Sequence, residues 1–358
     1  MRVFSRLGGR TAVLVALALM ASTSVALAAS YQASFLTADQ SGIAPNTDPN
    51  LVNPWGISFS ATGDFWVSDN NTGLSTLYDS TGKPQSLVVT IPVPAGDTNP
   101  ATPTGTVFNP STDFVVTKNG KSGTALFLFV TEDGTISGWA PTVDSTNAVL
   151  AVDNSSQGIN YKGMEYANNG TGNFLYVANF FNGTVDVFDK NFSKTTLSGS
   201  FTDPTLPRGY APFNIRNING QMYVTFAKQN ASKSDAVLGP GLGLVDVFDL
   251  NGNFIKRFTS KGMLNAPWGI AIAPSNFGTF SNDILVGNLG DGHITAFDPT
   301  TGAMLGQLSK SNGKAIAING LWALMFGNGG SGGSTNILYF TAGPNAYAHG
   351  RFGEVVSQ

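Results

Sequence analysis

The chain has 358 residues, 11% of them charged, with 43 glycines and no cysteine. A formal net charge of −3 argues against a basic nucleic-acid surface, and the lack of cysteine excludes a disulfide framework and thiol catalysis. Low charge combined with 42% hydrophobic residues points to a packed fold of many short strands and turns, not to disorder.

At the N-terminus, Arg2, Arg6 and Arg10 precede an apolar run from Thr11 to Met20, and Ala26-Leu27-Ala28 supplies an A-x-A pattern. That order predicts a secretory signal peptide over residues 1–29; the run is shorter than the roughly 20 apolar residues a spanning helix needs. Without these three arginines the balance is 16 basic to 22 acidic residues, a formal charge of −6. Residues 30–358 are expected to form one domain outside the cytoplasm, periplasmic or released. It is expected to be monomeric, with no membrane span and no nucleic-acid partner. The C-terminal GRFGEVVSQ carries no hydrophobic sorting tail.

Six copies of one unit follow in order. The first holds NPWGISFSATG, DFWVSDNNTG, LSTLYDSTGKP and QSLVVTIPV, from Asn53 to Val93. The second holds TGTVFN, FVVTKNG, ALFLFVTEDG and TISGWAP, and the third YKGMEYANNG, NFLYVANFFNG, TVDVFDKN and KTTLSGSF. The fourth holds YAPFNIRNING, QMYVTFAKQN, an insertion ASKSDAVLGPG, LGLVDVFDLNG and NFIKRFTS. The fifth runs from Asn265 through DILVGN and HITAFD to MLGQLS, and the sixth holds INGLWALMFGNG, NILYFTAGPNAYAHG and RFGEVVSQ.

Anchors near Gly56, Gly105, Gly163, Phe213, Gly269 and Trp322 lie about 49 to 58 residues apart, the spacing of propeller blades. Asp69 and Asp79, Asn179 and Asp189, and Asn288 and Asp298 are each ten residues apart. Four short strands per unit, repeated radially, predict an all-β six-bladed propeller closed into a ring. The sixth copy ends after its third strand, so the segment Tyr31–Thr37 is expected to supply the missing outer strand. Pro-Trp-Gly entries suit innermost strands, because Pro at a strand start forfeits no ladder bond.

Candidate chemistry is sparse. Asp69-Asn70, Glu132-Asp133, Asn179, Asn288 and Asn345 follow second strands, and Glu165 and Asn214 sit near the start of inner strands. Such oxygen-rich positions suit Ca²⁺ or Mg²⁺, making Asp69, Glu165, Asn179, Asn214 and Asn288 the metal candidates. The competing reading is turn capping, which recurs in every blade where a metal site would not. Asp79, Asp189, Asp249 and Asp298 read as turn formers. The two histidines, His293 and His349, occupy equivalent connections and are the candidates for acid–base work near neutral pH. Trp66, Phe180, Phe181, Trp268 and Trp322 read as blade core. No nucleophile elbow and no phosphate loop is present.

The Pro-Trp-Gly-Ile, strand, Asp/Asn, Gly, strand, Phe-Asp pattern resembles NHL-type six-bladed propellers. Taken in order, NPWGISFS, FWVSDN, NAPWGIAIAP and LYFTAGP resemble an uncharacterised family of secreted bacterial propellers. The expectation for function is a binding or scaffold module for a protein, peptide or glycan. The alternative rests on related six-bladed enzymes, the gluconolactonase/regucalcin hydrolases and the streptogramin lyases, and implies a divalent ion in the channel near Asp69, Glu165, Asn214 and Asn288.

Overall fold

A computed structural model describes residues 30–358 together with Met1 and Val3. The signal-peptide reading of residues 1–29 therefore lies outside the described residues. Six sheets are arranged as blades of a propeller, and the only helical pieces among the described residues are two 3-10 turns, Ser155–Gln157 and Gly278–Phe280. The inner strands are Pro54–Ser58, Pro103–Phe108, Tyr161–Asn168, Tyr210–Ile218, Pro267–Ile272 and Leu321–Phe326.

Apolar faces of neighbouring sheets meet in separate clusters. Trp66, Phe127 and Trp139 join blades one and two, while Tyr161, Met164 and Val130 join blades two and three. Burying both faces of each sheet in this way explains the near-continuous apolar runs of the second strands, such as FLFVT and ILVGN. Glycine is required where inner strands crowd together. A Cβ on Gly56 would lie 2.5 Å from the Thr104 carbonyl oxygen, and one on Gly105 would lie 2.6 Å from the Met164 nitrogen.

Turn chemistry follows the sequence. Asp79, Asp189, Asp249 and Asp298 each accept backbone N–H groups two to four residues ahead through one carboxylate oxygen. This side-chain turn fixes the third-to-fourth strand connection in four blades.

Two blades depart from the expected strand content. In blade two, FVVTKNG is not part of the blade sheet: Val115–Lys118 and Lys121–Thr124 form a separate hairpin. Asn119 and Gly120 both take positive φ, 52° and 77°, the geometry of a two-residue hairpin turn. The second, third and outer strands are Phe127–Thr131, Thr135–Trp139 and Val149–Asp153. In blade three the outer strand is only Lys194–Thr195. The rest of KTTLSGSF leaves the sheet, and Gly199 and Phe201 donate instead to the Asn251 and Gly252 carbonyls of blade four.

Circular closure is present. Tyr31–Ala38 pairs antiparallel with Arg351–Ser357, completing the sixth blade with the first strand among the described residues. A polar latch holds the junction: Asp39 accepts bonds from His349 Nδ1 at 2.7 Å, the Gly350 N–H at 3.1 Å and Arg351 Nη1 at 2.8 Å. Burial alone would raise the Asp39 carboxyl, but these bonds and the neighbouring His349 and Arg351 hold it below the ordinary carboxylate range.

Deleting residues 31–37 is expected to lower the melting temperature by about 10 °C or more, measured by thermal circular dichroism. Because the folded Asp39 value is depressed, its contribution is present above the unfolded carboxylate pKa and is lost as pH falls through the folded value. Acid unfolding below about pH 4 is therefore expected to be shallower in Asp39→Asn than in the wild type.

Candidate functional site

All six inner strands carry a register irregularity at the same place. It lies between Pro54 and Ile57, Pro103 and Thr106, Tyr161 and Gly163, Pro212 and Asn214, Pro267 and Gly269, and Leu321 and Leu324. A bulge re-aims the side chain it contains. The residues so displaced, Trp55, Thr104, Lys162, Phe213, Trp268 and Trp322, form a layer around the axis.

Their contacts cross from blade to blade. The Trp55 and Trp322 rings stack at 3.5 Å, Trp268 meets Trp55 edge-on at 6.2 Å, and Phe213 lies 6.0 Å from Trp322. Trp322 Nε1 donates to Asn53 Oδ1 at 3.0 Å, and Trp268 Nε1 to the Lys162 carbonyl at 3.1 Å. With the three tryptophans 1–4% exposed, the layer plugs the channel. On the side where the inner strands end, a hole of about 20 Å³ remains beside Gly56, Gly105, Asn214 and Gly269.

Lys162 is the one cation in this layer. It is fully buried, its ammonium pairs with Glu132, and it lies 5.1 Å and 5.8 Å from the centres of the Trp55 and Phe180 rings. Glu132 Oε2 also accepts Asn70 Nδ2 at 3.0 Å. Cation–π contacts gain strength when desolvated, and a buried ion pair is tolerated only when its other hydrogen-bonding capacity is met.

Above the plug, at the mouth where the inner strands begin, the blade-four insertion folds inward. Val237 donates to the Lys228 carbonyl and Gly239 to Asn265 Oδ1, both at 2.7 Å, and Ala236 packs on the axial cluster. Burial raises the Asp235 carboxyl; nearby Lys162 opposes this and Glu132 adds to it. The Tyr347 hydroxyl is pushed up to about 12, first by burial and then by Asp235 and Glu132. A cavity of about 220 Å³ opens here, lined by Leu238, Leu289, Asp291, Asn319 and Tyr347.

The sequence-nominated residues are distributed differently. Asp69 is buried in blade one, accepts Thr76 Oγ1 at 2.7 Å, and has its carboxyl raised well above the usual range by burial, with Asp48 adding to the shift. Asn179 donates to Asp186 at 2.9 Å, and Asn288 donates to the Met263 carbonyl at 2.7 Å. These three turn into their own blades.

Glu165 and Asn214 belong to the opposite part of the channel. Glu165 lies 3.5 Å from Arg216 Nε and accepts the Asn217 and Tyr166 N–H groups; burial raises its carboxyl against these partners. Asn214 donates to the Trp268 carbonyl at 2.9 Å. Arg216 and Glu165 border a second cavity of about 230 Å³ with Phe59, Phe108 and Tyr166. His293 stands 3.3 Å from Asp291, and His349 serves the closure latch, so the two histidines do not share a site. Among the described residues, no group of three or more His, Asp or Glu side chains is placed to hold a metal ion.

Lys162 and Asp235 were not singled out from the sequence. The available signal was a departure within the repeat: YKG stands where blades one and five have PWG.

No protein-family model matches the chain. Two uncharacterized proteins of Acanthamoeba polyphaga mimivirus are similar. One is 35% identical over 303 residues, covering 83% of this chain and 79% of its own length. The other is 34% identical over 301 residues, covering 82% and 73%. These relatives are viral, whereas the sequence resemblance pointed to bacterial proteins. Among solved structures, the apo aldose sugar dehydrogenase of Escherichia coli aligns over 92% of this chain and 100% of its own, with a TM-score of 0.53 at 12% identity. A glucose dehydrogenase aligns over 90% and 98%, with a TM-score of 0.52 at 12% identity. At such identity the likeness is one of fold.

Removing either partner of the axial ion pair is expected to have unequal effects. Glu132→Gln leaves a fully buried ammonium without its carboxylate and should cost about 3 kcal/mol or more. Lys162→Met leaves a carboxylate a quarter exposed and should cost less than half as much, read from urea unfolding midpoints.

Proposed function

The chain belongs to the family represented by the two uncharacterized proteins of Acanthamoeba polyphaga mimivirus, and we propose that it is an extracytoplasmic binding module. Its ligand, a protein segment, peptide or glycan, sits at the channel mouth beneath the blade-four insertion. The observation that carries this reading is the accessible cup against the axial plug, whose lining residue Tyr347 lies 5.8 Å from the Trp322 ring.

Three features support binding. The plug turns a potential tunnel into a floor. The walls come from blades four, five and six and are fixed by internal bonds: the Gly343 N–H donates to the Gly320 carbonyl and Asn71 Nδ2 to that of Tyr347, both at 2.8 Å. Such pre-positioning reduces the entropy lost when a ligand docks. Apolar Leu238 and Leu289 beside Asp291 and Tyr347 also give the mixed lining common to ligand sites.

The metal-dependent alternative has less support. It needs several oxygen donors converging on one point, but Asp69, Asn179 and Asn288 spend hydrogen-bonding capacity within separate blades.

Export through residues 1–29 forms part of the proposal. Expression of the full chain in a secreting bacterium is expected to yield protein whose intact mass begins after the Ala26-Leu27-Ala28 pattern; a retained leader would remove the extracytoplasmic assignment. Peptide and glycan arrays probed with purified protein are expected to give ligands whose binding is lost in Leu238→Asp. Binding untouched by that change would move the site elsewhere. Millimolar calcium is expected to leave the melting temperature unchanged, whereas a rise would indicate an ion held by the native state.

A further inference from the structure

The rim of blade three has an incompletely covered edge. Its third strand, Thr184–Phe188, meets its outer strand only at Val187 with Thr195 and Phe188 with Lys194. The fourth strands of the other five blades run four to eight residues. Among the described residues, no strand or bridge pairs with the outward edge of Thr184, Val185 and Asp186. Between that edge and the departing segment lies a cleft of about 610 Å³, whose lining includes Val185, Asp186, Leu197 and Phe201.

Blade four shows what covers an equivalent edge. GTVDVFD at 183–189 and GLVDVFD at 243–249 are two versions of one strand. Over the second version lies Phe254–Ser260, with Arg257 opposite Asp246 and in contact with its carboxylate. In the first version Asp186 is 3% exposed, yet no residue stands opposite it across the edge. Its cation is Lys194 Nζ at 2.9 Å, on a side chain 55% exposed. An exposed ammonium of this kind is a replaceable partner, since surface ion pairs contribute little.

We propose that the uncovered edge of blade three binds an extended peptide as an added antiparallel strand, with an arginine or lysine opposite Asp186 and apolar side chains against Leu197 and Phe201. Main-chain bonds to the unpaired edge would supply affinity, and the cleft and buried carboxylate would supply selectivity. Uncovered edges are templates for pairing, and proteins generally shield them by bulges, charges or covering segments. This rim site does not depend on the channel-mouth reading.

The test uses the mature protein and two synthetic peptides, FIKRFTS, the sequence of residues 254–260, and the charge-reversed FIEEFTS. Amide hydrogen exchange across residues 184–186 is expected to slow at least about tenfold with the basic peptide and to remain unchanged with the acidic one. No protection at millimolar basic peptide, or equal protection by both, would overturn the proposal. Protection that grows with protein concentration in the absence of peptide would instead assign the edge to a second copy of the chain, also overturning it. Leu197→Lys, at a partly exposed position, is expected to weaken binding of the basic peptide at least about tenfold; unchanged affinity would remove the cleft from the site.

Discussion

Crowding of the inner strands around one axis is the constraint from which the remaining architecture follows. Where Gly56 meets the Thr104 carbonyl and Gly105 meets the Met164 nitrogen, there is no room for a side chain. In four blades a glycine follows the axial residue, and in blades four and six Asn214 and Ala323 take its place; in all six the recurring bulge sends the preceding side chain to the axis. Six blades deliver six side chains, and three large indoles with one Phe, one Thr and one Lys fill the available space. The plug is a direct consequence of blade geometry combined with the residues at one repeat position.

Lys162 changes the character of that plug. An entirely apolar axis would be simple to desolvate, whereas an ammonium here needs a carboxylate and aromatic faces to be tolerated. Glu132, Trp55 and Phe180 meet those needs from three different blades. The pair links relative blade positions to electrostatics, and the negative surroundings of Tyr347 and Asp235 extend its influence to the mouth.

Ring closure and rim coverage are two forms of the same edge problem. In the sixth blade, Tyr31–Ala38 covers the last strand and a latch of Asp39, His349 and Arg351 locks the ends together. Blades one, four and five obtain their outer strands from the chain immediately following their third strands. Blade three releases its chain early to satisfy backbone bonds in blade four, leaving part of an edge that the other blades cover. Local competition between two sets of main-chain bonds thus produces the fold's least complete sheet.

The sequence by itself determined the blade count, the closing strand and the aspartate turns. These rest on short-range geometry repeated at a fixed spacing: Asp79, Asp189, Asp249 and Asp298 bond residues only two to four positions ahead. It also held the hairpin at Asn119-Gly120, although the repeat frame concealed it as a blade strand. The tertiary structure alone decided which polar groups meet. Lys162 and Glu132 are thirty residues apart, and Trp55 and Trp322 stand at opposite ends of the repeat array. Periodicity assigns a residue to a blade position, but only closure of the ring brings six equivalent positions to one axis and makes their differences chemically meaningful.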